Sequence, residues 1–374
     1  MRIAVLTYSH ESNCGAVLQA WALKVLLEEF GNHIDLPVVK GYETRGRLYN
    51  VFMSLDEGWC SFLKNIIYQF FTLGIKEWVE YRFKRSIRKL YPKCRITSDE
   101  LSRYDLVIIG SDQVWNPKMG EYKLPLYLGE CIPQNVPLVG YAVSAGDAVH
   151  KRRWDKRVAL AVERFRKVYV RESMTADFVF RASGQRCMQV LDPTLLFPFE
   201  RYRELEEGEV PSEPYVFFYV LGTNDVAKMV EAFLRNLGVK RAVFFDGSVD
   251  FVPHRKPSGY RRVISPGEMI KFVRHSAAIV ACSFHGTAFA LLSGKPFVSL
   301  TTRGIDDKFN TRVGGLLKSI GCEDRLFSVT EHVDEMCQSI MRPIDSKVEE
   351  KLRQFRKQSR ELLRQAIIEA EAKK

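Results

Sequence analysis

The chain has 374 residues, with 56 Lys and Arg against 45 Asp and Glu, a formal net charge of +11. Hydrophobic residues make up 46 % and charged residues 27 %. That is enough apolar surface to build a core, which excludes disorder as the main state, and the length suggests about two domains at roughly 150 residues each.

The chain opens Met1-Arg2-Ile3-Ala4-Val5-Leu6-Thr7-Tyr8, an apolar run too short for a signal-peptide core. Residues 3–7 read as a buried strand and 8–13 as a polar loop. Residues 15–30 read as a helix, with Val17, Leu18, Trp21, Leu23, Val25, Leu26 and Leu27 at helical spacing and Gly31-Asn32 as the stop. Residues 59–93 look helical, aromatic first and then basic. Residues 76–95 carry eight Lys/Arg against two Glu. Two readings stand: a solvated face over an aromatic core, or an interfacial helix facing anionic lipid. The nearest approach to a membrane span, 62–75, is interrupted by Lys64, Asn65 and Gln69. The expectation is a cytoplasmic protein, with peripheral contact at the inner membrane face left open.

A series of short strands follows at 106–109, 137–143, 168–170 and 189–191, with a basic helix at about 151–166. Each strand runs into a polar or glycine-rich loop: Gly110 to Pro117, Ser144-Ala145-Gly146, Arg171-Glu172 and Asp192-Pro193-Thr194. Open α/β sheets bind ligands at such strand ends. Residues 198–214, with Pro198, Pro211, Pro214 and several glutamates, read as a linker. The pattern then restarts: strand 215–221, helix 225–237, strand 241–245, a helix opened by Ser265-Pro266, strand 278–282, a helix from Ser283 to near Gly294 and strand 296–300. A charged amphipathic helix at about 346–370 closes the chain. The organisation expected is an α/β domain over 1–197 with a helical basic insertion at about 57–95, the 198–214 linker, a second α/β domain over 215–345, and a terminal helix over 346–374.

Eight cysteines are scattered without a CxxC pair and read as reduced, mostly buried thiols. The histidines lack ligand spacing, and no metal or cofactor is expected. GxGxxG, GxxxxGK[ST], HExxH and GxSxG are all missing from the sequence. This argues against a fingerprint dinucleotide enzyme, a P-loop NTPase, a zincin and an α/β hydrolase.

Ser283-Phe284-His285-Gly286-Thr287 follows a buried strand and opens a helix. Free N–H groups and the helix dipole suit an anion there, and His285 can give or take a proton near neutral pH. Arg171 ends a strand, placed either to grip a carboxylate or phosphate or to pair with Glu172 or Asp177. Ser111, Asp112, Gln113 and Asn116 lie on one loop. Asp112 and Asn116 could meet sugar hydroxyls or serve as turn caps. Arg303, Lys308 and Arg312 follow the strand ending at Leu300 and could surround an anion. Asn13-Cys14-Gly15 opens the first helix and could bind an anion, with Asn13 and Gly15 as the candidate substrate-binding residues.

Five motifs in order resemble the polysaccharide pyruvyl transferase family, over nearly the whole chain. They are Asn13-Cys14-Gly15-Ala16-Val17-Leu18-Gln19-Ala20, Gly110-Ser111-Asp112-Gln113-Val114-Trp115-Asn116, Val170-Arg171-Glu172, Leu191-Asp192-Pro193-Thr194 and Ser283-Phe284-His285-Gly286-Thr287. The resemblance implies two Rossmann-like doubly wound domains in a GT-B-like arrangement. The implied donor is phosphoenolpyruvate and the implied acceptor a glycan or lipid-linked saccharide, joined as a pyruvate ketal. His285 is implied as general acid and Arg171 as the anion grip. Some members carry Ser-Arg-Leu-His at the last motif, with the Arg on the donor. Phe284 stands in that position here, which leaves Arg303, Lys308 and Arg312 as substitute cations. Two alternatives remain: a GT-B-like glycosyltransferase using a nucleotide sugar, and a non-catalytic glycan-binding relative.

Residues 76–95 carry a net +6 and residues 151–171, with nine Lys/Arg against two acids, a net +7, so the rest of the chain nets −2. The surplus sits on two helices of the first domain, which fits an anionic lipid-linked partner better than nucleic acid. No nucleic-acid motif is present.

Overall fold

The computed structural model describes residues 1–43, 59, 77–78, 80–150, 152–220, 224–246, 265–302, 304, 307 and 311–372. About half of the expected insertion, including 60–76, lies outside the described residues, as do Arg303 and Lys308.

The first domain is a six-stranded, all-parallel sheet. Its strands are β1 (Arg2–Leu6), β2 (His33–Asp35), β5 (Leu106–Ile109), β6 (Leu138–Val143), β7 (Lys167–Val170) and β8 (Met188–Gln189). Their spatial order is β2-β1-β5-β6-β7-β8. A separate parallel pair joins β3 (Pro37–Val39) to β4 (Cys94–Ile96). Central strands such as β5, sequence Leu-Val-Ile-Ile, are buried along their whole length. That is the composition of a parallel strand covered by helices on both faces.

The second domain repeats the design with β9 (Tyr215–Val220), β10 (Arg241–Asp246), β11 (Ala278–Ala281), β12 (Phe297–Thr301) and β13 (Leu326–Ser328) in the order β10-β9-β11-β12-β13, again all parallel. These are two Rossmann-like domains, as expected. The strand order reverses between β1 and β5 in one sheet and between β9 and β11 in the other. Ligand crevices form at such switch points. The loops after β1, β5 and β11 carry the motifs that the sequence singles out.

The helices that matter for the site are α1 (Cys14–Glu29), α2 (Asp155–Arg164), α3 (Ser173–Ser183), α4 (Asn224–Leu237), α5 (Pro266–His275), α6 (Phe284–Ser293), α7 (Arg312–Ile320), α8 (Val333–Met341) and α9 (Ser346–Ala372). One buried apolar cluster runs from α1 through α5 and α6 to α9, so the two sheets share a core. The stretch expected as a linker is part of that core. Phe199–Leu205 forms a 3-10 helix with Phe199 and Tyr202 buried. The Tyr202 ring lies 5.3 Å from Trp21 of α1 and 5.1 Å from Phe289 of α6. Burying a large aromatic there outweighs what the prolines and glutamates alone suggest.

The last helix returns to the first domain. Arg356 Nε donates to Leu195 O at 2.8 Å, and the Leu191 N–H donates to Ser359 Oγ at 3.0 Å. Arg360 reaches Leu196 O and Glu29. These bonds fix the loop after β8, which carries Asp192.

The described cysteines are free thiols, but fewer are buried than expected. Cys14, Cys322 and Cys337 are buried, whereas Cys94, Cys131, Cys187 and Cys282 are half-buried. The half-buried ones sit at element ends, where side chains leave the core; Cys131 Sγ lies 2.7 Å from Tyr42 Oη.

Candidate active site

Asp192 stands where the two domains meet. Its carboxylate is 1 % exposed and surrounded by donors. Ser111 Oγ donates to Oδ2 at 2.7 Å and Arg171 Nη1 to the same oxygen at 3.1 Å. Oδ1 accepts from Thr194 N at 3.0 Å and Thr194 Oγ1 at 2.7 Å. His285 Nε2 faces Oδ2 at 3.6 Å. Burial would raise this carboxyl, but His285, Arg171 and the Ser111 hydrogen bond outweigh it and hold Asp192 well below the usual carboxylate range.

Arg171 carries both readings open in the sequence. It pairs with Glu172 through Nε at 3.2 Å and with Asp192, while Asp112 lies 3.8 Å from Nη1. Asp177 has no part in this network. Burial opposes the guanidinium's charge, and the three carboxylates more than offset that. Its Nη2 is buried without a hydrogen-bond partner. A buried donor without a partner is costly. The Phe284 ring supports the guanidinium, with Cζ 4.3 Å from the ring centroid. Phe284 is therefore a buried platform under Arg171.

Ser283 caps α6 by accepting from Gly286 N at 3.0 Å. Gly286 allows β9 to approach closely, since a Cβ there would lie 2.8 Å from Tyr219 Cγ. Thr287 Oγ1 donates to Ser283 O and bonds Ser299 Oγ. Ser283, Gly286 and Thr287, expected at the ligand, thus shape the turn that presents His285.

Asn13 caps α1 by accepting from Ala16 N at 3.1 Å. Gly15 abuts His285: a Cβ built on it would fall against the imidazole Cγ and Nδ1. Only glycine leaves room for that ring. Gln19 Nε2 donates to Thr7 Oγ1 at 2.8 Å, and Thr7 Oγ1 donates to Ser111 O at 2.7 Å. A buried polar chain therefore links the first motif to Ser111 and Asp192.

Asp112 adopts φ 83°, a left-handed conformation unusual for a non-glycine residue. Such strain clusters at functional sites. Gln113 and Asn116 bond each other, and Asn116 caps the next turn through Lys118 N. Gly146 lies against both, because a Cβ there would lie 2.6 Å from Asn116 Nδ2. Arg312 opens α7, capped by Thr311. That helix adjoins the site, since a Cβ on Gly315 would be 3.9 Å from Glu172 Cβ.

The structure therefore gathers Ser111, Asp112, Arg171 and His285. It uses Asn13, Gly15, Gln113, Asn116, Ser283, Gly286 and Thr287 largely as framework. Sequence reasoning did not single out Asp192 or Glu172 as site residues. The available signal was a carboxylate within three residues of a strand end in two successive loops.

His10 follows β1. Its Nδ1 lies 2.8 Å from Ser9 Oγ, its ring meets Tyr91 edge-on, and Nε2 is buried without a partner. Burial, with Lys93 nearby, lowers its pKa to about 4. An unfolded histidine titrates near 6.5. Between those values the unfolded chain binds a proton that the folded chain does not, so stability falls as pH drops from about 6.5 to 4. Discounted for residual solvent contact, the loss is about 2 kcal/mol. Denaturant midpoints at pH 7 and 4.5 should show a smaller loss for His10→Gln than for the wild type. Equal losses would exclude His10 as the cause.

Two parallel-sheet domains meeting at a buried Asp–His–Arg cluster define a two-domain α/β protein of Rossmann-like build. The family model for polysaccharide pyruvyl transferase matches residues 13–303, and the chain belongs to that family. The family is one of transferases acting on polysaccharide. Among solved structures, UDP-GlcNAc 2-epimerase from Methanocaldococcus jannaschii is similar at a TM-score of 0.51 and 8 % identity, over 92 % of this chain and 93 % of the other. The glycosyltransferase SnogD from Streptomyces nogalater gives 0.43 and 14 %, over 96 % and 95 %. The epimerase likeness concerns the fold alone. No curated protein matches the chain in sequence.

Proposed function

We propose that the chain transfers the pyruvyl unit of phosphoenolpyruvate to two hydroxyls of one sugar, forming a ketal and releasing phosphate. The observation that carries this reading is the meeting of Arg171 and His285 at Asp192, from two domains, within the stretch that the family model covers. The donor is a carboxylate and a phosphate on an enol. Arg171 Nη2 and the α6 N-terminus offer N–H groups to such an anion. His285 as imidazolium gives its proton to the methylene carbon, and positive charge develops at the neighbouring carbon. A sugar hydroxyl attacks that carbon, and phosphate leaves with the electrons of its C–O bond. A second hydroxyl closes the ring. Of the two hydroxyl protons, one restores His285 and one leaves with phosphate. Asp112 sits beside Arg171 to receive a proton on the way. Arg303, Lys308 and Arg312 are the further cations assigned to the donor.

Phosphoenolpyruvate is expected to raise the melting temperature while UDP and GDP do not. A ligand that binds only the folded state stabilises it, by about 2.7 kcal/mol at a hundredfold excess over Kd. Stabilisation by UDP alone would favour the nucleotide-sugar alternative instead.

The acceptor in this reading is a glycan precursor on a lipid carrier, met in the cytoplasm at the inner membrane face. Among the described residues, no helix is long and apolar enough to cross a membrane. Residues 80–90 are helical, and Phe83 and Ile87 face the core. Trp78 and Tyr81 are 52 % and 60 % exposed beside Arg82, Lys84, Arg85 and Arg88. Aromatic rings with cations suit an anionic headgroup layer. Vesicles containing anionic lipid should bind the protein, and changing those four cations to Gln should abolish binding. Unchanged binding would remove this surface from the proposal.

A further inference from the structure

The position of His285 is set by the opposite domain. Nε2 is buried without a hydrogen-bond partner and faces the Asp192 carboxylate at 3.6 Å, just beyond hydrogen-bonding distance. Cγ and Nδ1 lie against Gly15 at the start of α1. The Phe284 ring stands edge-on to the imidazole, with centroids 5.4 Å apart. Asp192 is itself immobilised. Thr194 occupies Oδ1 twice, and Ser111 and Arg171 occupy Oδ2. A carboxylate held by four donors and buried beside a histidine is arranged to orient it, because the acceptor on one ring nitrogen decides which nitrogen carries the proton.

We propose that Asp192 is the positioning residue of His285, fixing the ring with Nε2–H toward the carboxylate and leaving Nδ1 as the nitrogen that exchanges a proton with the ligand. This rests on the reading of His285 as the acid–base group. In the imidazolium both nitrogens carry hydrogen. The Nδ1 proton passes to the methylene carbon, the N–H bonding pair remains on Nδ1, and the ring becomes the neutral Nε2–H tautomer. Asp192 stays ionised throughout. The same carboxylate holds Arg171, so the anion grip and the acid share one anchor. Arg171, Ser111 and Asp192 come from the first domain and His285 from the second. The acid is therefore correctly oriented only when the domains are apposed as seen here.

The test is NMR on the full chain with 15N-labelled histidine, without substrate, at alkaline pH. His285→Gln identifies the resonance. The expected wild-type signal is an exchange-protected proton on the buried Nε2, with Nδ1 unprotonated. Asp192→Asn should abolish that protection. Ser111→Ala, which keeps the carboxylate and removes one of its hydrogen bonds, should shift the same resonance. A wild-type His285 protonated on Nδ1 would overturn the proposal, as would an Asp192→Asn protein that keeps the protected Nε2 proton. No donor is present in this measurement. A failure of the phosphoenolpyruvate assignment would leave it unaffected.

Discussion

His285→Gln is expected to lower kcat by about 10²–10⁴-fold, the usual contribution of a positioned general acid, with little change in KM for the donor. Glutamine approximates the reach of the ring and keeps a donor that can face Asp192. The buried carboxylate is thus not left bare, and the variant should fold. What it loses is a group able to release a proton to carbon and take one back. Protonating the enol carbon creates the electrophile, so no later step can make up for the loss. The ring itself sits at the start of α6 and against Gly15, so the change does not reach the main core. Initial rates of phosphate release, with circular dichroism to check the fold, measure this directly. Normal turnover in a folded His285→Gln enzyme would sink the assignment.

Much of the fold is legible in the sequence because its signals are local. The strand runs at 106–109 and 278–282 are apolar and end in turns, and Ser265-Pro266 announces α5 by cap and first helical residue. The helices α3 and α8 lack that signal. Neither has a side-chain N-cap bond, and only Gly184 at φ 73° marks the end of α3. Three-residue strands such as β2 and β3 are too short for periodicity to register. The site divides the same way. His285 and Arg171 stand out as charged groups at strand ends. Asp192 does not, because its significance comes from Ser111, Arg171 and His285, which lie 81, 21 and 93 residues away in the chain. Gly15 reads as part of a helix start, and its role as a gap for His285 exists only once the two domains meet.

Arg171→Ala should cost about 3–5 kcal/mol of stability, the usual effect of removing one partner from a buried ion network. Asp192 and Glu172 are each buried to within about 2 % of full exclusion, and both would lose their cation. Natural domains hold only about 5–15 kcal/mol in reserve, so the alanine variant removes a large share of it. Arg171→Lys separates charge from geometry. An ammonium restores the charge, but it cannot bridge Glu172 and Asp192 through a planar fork or lie flat on the Phe284 ring. Lysine should therefore recover much of the stability and little of the donor binding, since the free Nη2 edge is lost with the fork. The sharper comparison is Arg171→Met with Asp192→Asn. If the two charges stabilise each other, the double variant should be more stable than the sum of the single losses predicts. Strict additivity in urea unfolding would mean that Arg171 draws its support from Glu172 and Asp112. Asp192 adds a pH signature of its own. Its depressed folded-state pKa contributes stability above the ordinary carboxylate range, and that contribution is lost only as pH falls through the folded value. In Arg171→Met, with the cation gone, acid unfolding should begin at a higher pH than in the wild type.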